Sequence, residues 1–354
     1  MSSGFFPIYQ HAICKVRHTA MHTFQDNLSP ATLFGDLPLL RLRMEYSVDD
    51  PELLPDYLGS SWRGILGWQM QRLCCPFGPR RACPSCLIRE QCPYFVLYEL
   101  QSELPGFRDA PRPYILLPET VSETDGRGCQ HLTITLVGKA VRTAPLLWKT
   151  IQEAGRTGLG RERVGFAARG WKEERPGQGW VDLPEAESYR HIQGGLTLKH
   201  YLKPAPSLPW AVTVNPPLRL RVRGSYLTAM DWAALLASLA QKLEMLSVIF
   251  DAMAPLGRER WMLLKEHFAT MGPSAKTDLT WKDWNRYSNR QRKKVPMGGL
   301  AGHAVIDQAP QELWQWLRCA SLVHVGKGAA MGLGRIRVQG ANIDDFSTGQ
   351  PDND

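Results

Sequence analysis

The segment Val325-Gly326-Lys327-Gly328-Ala329-Ala330-Met331-Gly332-Leu333-Gly334-Arg335-Ile336-Arg337-Val338 decides the reading of the chain. Four glycines, Gly326, Gly328, Gly332 and Gly334, surround Lys327, and Arg335 and Arg337 follow. Glycine reaches positive φ and has no Cβ, so such a loop can bring successive backbone N–H groups onto one anion. The flanking cations point to phosphate as that anion. Arg335 to Gln339 alternates basic and apolar residues, which predicts a strand with one charged face. A tight helix-to-strand connection is the plainer reading of the same glycines.

The motif recurs. Gly158-Leu159-Gly160-Arg161-Glu162-Arg163-Val164 matches Gly332 to Val338 at every position but one. Ala144-Pro145 leads into Leu147-Trp148 before the first copy, and Ala309-Pro310 into Leu313-Trp314 before the second. Proline suits a first helical turn, where its missing N–H leaves no bond unmade. Each half therefore carries helix, glycine-rich loop and basic strand, and the repetition predicts two related domains. In the first half, strand, helix, strand, strand, helix, strand is the split βαβ order of a ferredoxin-like domain. The expected fold is α+β, two tandem ferredoxin-like domains, the first with a cysteine-rich insertion.

The expected divisions are an extension over 1–36, a first domain over 37–190 with its insertion at 74–93, a linker at 191–209, a second domain over 210–340 and an acidic tail at 341–354. Trp171 to Gly195, rich in Gly, Pro and Glu, reads as part of the linker region. Gly59 to Leu73 reads as a helix capped by Ser60 or Ser61, with Trp62, Ile65, Leu66 and Leu73 on its apolar face. Trp210 to Arg223 reads as a long strand in which Arg219, Arg221 and Arg223 form a basic face. Pro216-Pro217 favours an edge position for it, since proline cannot donate to a ladder. Asp231 to Phe250 carries an apolar stripe at helical spacing and is core.

The chain has 354 residues, a hydrophobic fraction of 44% and a formal charge of +8. That length suits two domains with cores of their own, and the charge suits a polyanionic partner. Residues 1–18 lack the apolar run of a signal peptide. No stretch reaches the roughly 18 apolar residues a membrane helix needs, so the expectation is a cytoplasmic protein.

Five of the eight cysteines fall between Cys74 and Cys92. Cys75, Cys83, Cys86 and Cys92 are spaced C-x7-C-x2-C-x5-C in a segment too poor in apolar residues to build a core. Four thiolates around a structural zinc would hold it; an iron–sulfur cluster uses the same donors. A closed four-sulfur site has no open position for a substrate, so no catalytic cofactor is expected there. Reduced, metal-free thiols are the alternative.

Between Trp281 and Pro296, Trp281, Trp284 and Tyr287 lie beside Arg286, Arg290, Arg292, Lys293 and Lys294. Rings among cations suit single-stranded nucleic acid, where bases stack and phosphates pair. A solvated basic loop would read the same way.

Three runs taken together, Arg286-Tyr287-Ser288-Asn289-Arg290-Gln291, Met297-Gly298-Gly299-Leu300-Ala301-Gly302 and His324-Val325-Gly326-Lys327-Gly328 through Gly334-Arg335, resemble the C-terminal half of the CRISPR precursor-RNA processing endoribonucleases of the RAMP superfamily. Gly59-Ser60-Ser61-Trp62-Arg63-Gly64-Ile65-Leu66-Gly67, leading to Cys92-Pro93-Tyr94, resembles the subset with a four-cysteine insertion. The resemblance spans about residues 37 to 340. It implies tandem RRM-like domains and cleavage of precursor CRISPR RNA within repeats, without metal. The 2′-hydroxyl attacks the adjacent phosphate and leaves a 2′,3′-cyclic phosphate. Such a reaction needs a base, an acid and cations. A histidine often stands near the first helix of the family; here none lies between His22 and His131. His324 is the first candidate, with Lys327 and Arg290 stabilising phosphate, Tyr287 orienting and His22 as the outside alternative. A packed helix-end histidine competes with that role. The expected RNA contacts are Arg286, Arg290, Arg292, Lys293, Lys294, the four glycines, Arg335 and Arg337. The expected partners are repeat RNA and other subunits of a CRISPR effector complex. The competing functions are a non-catalytic RNA-binding RAMP subunit and an unrelated zinc or cluster enzyme.

Overall fold

A computed structural model describes residues 28–78, 83–102, 110–121, 129–184, 192, 195–288 and 293–341. The chain enters through a short helix, α1 (Pro30–Phe34), whose N-cap Ser29 accepts the Thr32 N–H. Leu28, Leu33 and Phe34 are buried in the larger core cluster. Residues 28–36 are therefore packed structure and not a loose extension. His11, His18 and His22 lie outside the described residues.

β1 (Leu39–Val48) buries Leu40, Leu42, Met44 and Tyr46 on one face and leaves Arg41, Arg43 and Glu45 on the other. The period of two makes this division unavoidable once one face meets a core. α2 (Gly59–Cys74) packs Trp62, Leu66 and Met70 onto the buried face. Its N-cap is Leu58, with no side-chain bond, in place of the expected serine. Leu73 is exposed, while Gln69 turns inward and donates to the Glu153 carbonyl and the Thr157 hydroxyl. β2 (Tyr114–Val121), β3 (Cys129–Val137), α3 (Ala144–Thr157), β4 (Phe166–Arg175) and β5 (Gly179–Leu183) follow. The antiparallel sheet runs β2-β3-β1-β4-β5, so its first four strands have the ferredoxin-like order. Residues 171–183 thus belong to the sheet and not to a linker. Trp171 is buried and stacks on Trp148 at 4.0 Å, and the buried Glu173 accepts from Arg175.

The second domain begins after the one-turn helix α4 (Leu198–Tyr201) with β6 (Trp210–Leu218). A small pair, β7 (Arg221–Val222) and β8 (Ser225–Tyr226), precedes α5 (Trp232–Asp251) and α6 (Arg258–Thr270). Then come β9 (Ser274–Lys282), the hairpin β10 (Asn285–Ser288) and β11 (Lys293–Pro296), β12 (Gly299–Gln308), α7 (Gln311–Val323) and β13 (Ile336–Gly340). The main sheet runs β13-β6-β12-β9, the same order again.

β6 is therefore central, against the edge position its prolines suggested. Pro216 and Pro217 fall where the β12 register shifts between Leu300 and Gly302, and their carbonyls accept the Gly334 N–H. The strand also ends at Leu218, and Arg219 turns inward to donate to Gly298 and Tyr226. Asp231 caps α5 by accepting the Ala234 N–H. By length and composition α5 could cross a membrane, contrary to the reading that no stretch could. In this fold Leu235, Leu236, Leu239, Leu243 and Leu246 are fully buried. Leu39, Ile115 and Val137 of the first domain join the same cluster, so the two domains share a core.

Candidate nucleic-acid interface

The two glycine-rich loops occupy equivalent places, one joining α3 to β4 and the other α7 to β13, the fourth strand of each ferredoxin-like order. The C-terminal copy also joins the domains. Tyr57, just before α2, donates its hydroxyl to the Met331 carbonyl. A Cβ on Gly332 would lie 2.7 Å from the Leu116 carbonyl oxygen and 2.8 Å from the Tyr57 hydroxyl. Arg335 closes the joint with an ion pair to Glu119 of β2.

This geometry corrects the reading of Gly332 and Gly334 as part of an open phosphate cradle. The N–H groups of Val325, Lys327, Met331, Gly332, Leu333 and Gly334 all bond to carbonyls of the chain itself. Gly332 and Gly334 are buried. At Gly332 the positive φ serves a close approach to the first domain, and at Gly326 and Gly334 a close approach to Arg219 and Val325 of the second, the plainer of the two uses glycine offered.

His324 is likewise interior, 2% exposed. Its Nδ1 sits 2.9 Å from the Gly332 carbonyl oxygen, and since a carbonyl only accepts, Nδ1 carries the proton. Burial first, then Arg335, Lys242 and Arg41, push its pKa well below the ordinary value. The residue fastens the loop as a neutral imidazole, the packed helix-end alternative, which corrects its choice as first candidate for the acid–base group. Lys327 is exposed.

Basic residues converge elsewhere, where the open face of the first sheet meets β13. Arg43 donates to Thr133 at 3.4 Å and lies over the Trp180 ring at 4.1 Å. Burial lowers its pKa; Arg335 and Arg337 of the second domain push the same way, against Glu119 and Glu45. Arg335 and Arg337, expected RNA contacts, thus stand beside a first-domain arginine that sequence reading passed over. Across β13 and β6, Arg337 pairs in register with Thr213, which pairs with His303 on β12.

On the same face His131 and Glu45 are register partners, and Glu119 pairs with His131 from the other side. His131 Nε2 lies 3.9 Å from Glu45 Oε1, and Lys172 Nζ lies 2.9 Å from the same oxygen. The His131 side chain is 15% exposed. Burial, then Arg43, lower its pKa below the ordinary value, while the hydrogen bond to Glu45 raises that of Lys172. A neutral imidazole and a charged ammonium therefore share one carboxylate. The alternating pattern of β3 carried this signal, but nothing in a single strand shows which partner strands lie beside it.

The remaining expected contacts lie on the β10–β11 hairpin. Arg286 pairs in backbone register with Val295, Tyr287 with Lys294, and Lys293 with Ser288. Arg290 and Arg292 lie outside the described residues.

Cys75, Cys83, Cys86 and Cys92 line one small cavity with Phe77, Ile88 and Phe95. All four are free thiols. Among the described residues, however, no three His, Cys, Asp or Glu side chains are arranged to hold a metal ion. The donors fit zinc in kind and number and do not close around a common point.

Two tandem ferredoxin-like domains thus share a core, with arginines from both gathered along their seam. Residues 37–194 match a family model of N-terminal domains, AF_1859_N. Residues 212–336 match the model of the CRISPR-associated endoribonuclease Cas6. A solved Cas6 product complex shares the fold, with 16% identity, a TM-score of 0.54 and coverage of 85% of this chain and 100% of that one. Cas6 of Thermus thermophilus aligns at 13% identity and a TM-score of 0.48 over 86% of this chain and 99% of that one. No curated protein matches the sequence.

Proposed function

We propose that this protein cleaves precursor CRISPR RNA within its repeats to release guide RNA, by attack of the 2′-hydroxyl on the adjacent phosphate. The observation that carries the reading is the seam of Arg43, Arg335 and Arg337 beside His131, Glu45 and Lys172. Neutral His131 takes the 2′-hydroxyl proton. The phosphorus–5′-oxygen bond breaks, Lys172 protonates the leaving oxygen, and the product ends in a 2′,3′-cyclic phosphate. Arg43 and Arg335 offset the charge of the pentacoordinate phosphorus. Proton transfer by such groups contributes roughly 10²- to 10⁴-fold, and no step draws on a metal.

The deciding experiment incubates the protein with end-labelled repeat RNA in EDTA. Cleavage at one position, with a 3′ end that polynucleotide kinase must open before ligation, supports the proposal. Tight binding without product supports the non-catalytic RNA-binding subunit, a reading favoured by the burial of His324. As an accessory proposal, Cys75, Cys83, Cys86 and Cys92 hold a structural zinc, supported by the one cavity they share.

A further inference from the structure

Two arginines meet at the domain seam without enough partners. Arg41, on β1, donates to Glu174 through Nη1, but its Nε is buried and bonds to nothing. Arg318, on α7, is half-buried, its Nε is also buried and unbonded, and among the described residues it makes no ion pair. Besides the Glu174 carboxylate it touches, Arg41 feels the like charges of Arg318, then Arg335 and Arg43. Burial and these neighbours push Arg41 down to about 9, which leaves it charged at neutral pH.

Arg318, Arg335 and Arg43, from both domains, thus lie near enough for their like charges to bear on Arg41. Glu174 serves Arg41 and Glu119 serves Arg335, and among the described residues Arg318 is left without a carboxylate. The other titratable neighbours are Tyr201, whose hydroxyl is pushed up to about 12, Cys319 beside Arg318, whose thiol burial pushes far up, and the neutral His324; at neutral pH none supplies negative charge. Unpaired buried charge is strongly unfavourable, and buried unbonded donors are uncommon in folded proteins.

We infer that Arg41 and Arg318 form a site for a tetrahedral oxyanion of the phosphate class, held between the domains. Each arginine offers an Nε–H with further donors in a fixed fork, the geometry that matches phosphate oxygens. Gln315, one turn before Arg318, has a buried unbonded side-chain oxygen; with its amide turned, its NH₂ becomes another donor. The site grades outward. The Arg41 side chain is 15% exposed and that of Arg335 21%. A phosphate arriving along the seam would pass the outer arginines before reaching the inner pair. The ligand is either a backbone phosphate of bound RNA or a free phosphate ion. The RNA case rests on the nuclease reading above; the ion case does not.

The test compares the full chain with Arg318→Met and Arg41→Lys. In the ion arm, melting is followed in chloride and in inorganic phosphate at equal ionic strength. Phosphate should raise the wild-type melting temperature by several degrees and leave Arg318→Met unmoved. In chloride, Arg318→Met should melt at or above wild type, because it removes an unpaired buried charge. In the RNA arm, repeat-RNA affinity is measured against salt, and Arg318→Met should lower the logarithmic slope by ~0.7 for one lost phosphate contact. A response in both arms, or in the RNA arm alone, assigns the site to an RNA phosphate; a response in the ion arm alone assigns it to free phosphate. No response in either arm, or an Arg318→Met protein that melts lower in chloride, overturns the inference. Cleavage measured separately on the same preparations keeps the nuclease reading apart from this one.

Discussion

His324 Nδ1 donates to the Gly332 carbonyl at 2.9 Å, and Leu333 offers a second acceptor at 3.3 Å. The bond ties the end of α7 to the far side of the glycine-rich loop. The native state holds this histidine below its ordinary value of 6.5, so below that pH the unfolded chain binds more protons. The stabilisation is present above 6.5 and lost as the pH falls. His324→Ala is expected to destabilise by about 2 kcal/mol or more at neutral pH, and to flatten the fall in stability between pH 7 and 5. Urea midpoints across that range measure both effects. A variant with an unchanged pH profile would sink the assignment.

Gly332→Ala should loosen the domain joint. Its φ of 91° resists any side chain, and the new Cβ would meet backbone at 2.7 Å. Gly224 makes a control, since its φ of 90° is similar but its surroundings are open. The control should lose roughly 1–2 kcal/mol for the left-handed backbone alone, and Gly332→Ala clearly more. Equal losses in thermal or urea unfolding would mean that the joint yields freely.

His131→Ala should slow single-turnover cleavage of repeat RNA by roughly 10²-fold or more, with little change in binding. Because burial and Arg43 depress its pKa, the wild-type rate should rise with pH and level off below the ordinary histidine value. His131→Ala should lose that limb. An unaltered rate profile removes His131 from the mechanism.

The thiols supply a check that needs no RNA. Without metal, burial pushes Cys74 up to about 11 and also raises Cys83, so both should alkylate slowly at pH 8 and faster as the pH rises. Zinc on Cys75, Cys83, Cys86 and Cys92 should appear as one ion per chain by elemental analysis. A chelator should then release it and lower the melting temperature. Protein that purifies without zinc and is indifferent to added zinc rules out the accessory proposal.

Much of the fold was legible in the sequence. The alternation in β1, the stripe of α5 and the paired glycine motifs are local patterns, and each fixes which residues face a core. The duplicated strand and helix order then led to two ferredoxin-like domains. Where polar composition hid a strand, as at Trp171 to Leu183, the missing knowledge was a contact: Trp171 lies on Trp148, and Arg43 lies over Trp180. The prolines of β6 misled because a register shift in the neighbouring strand makes room for them.

The site was less legible for the same reason. Sequence alone determined that glycines, arginines and a histidine cluster around residues 324–337, since composition and spacing are properties of the chain. Only the tertiary structure decided that His324 and Gly332 fasten a joint while His131, Arg41 and Arg318 face the seam. Burial and charge pairing depend on what packs against a residue from distant parts of the chain, and that is settled when the two domains close over a common core.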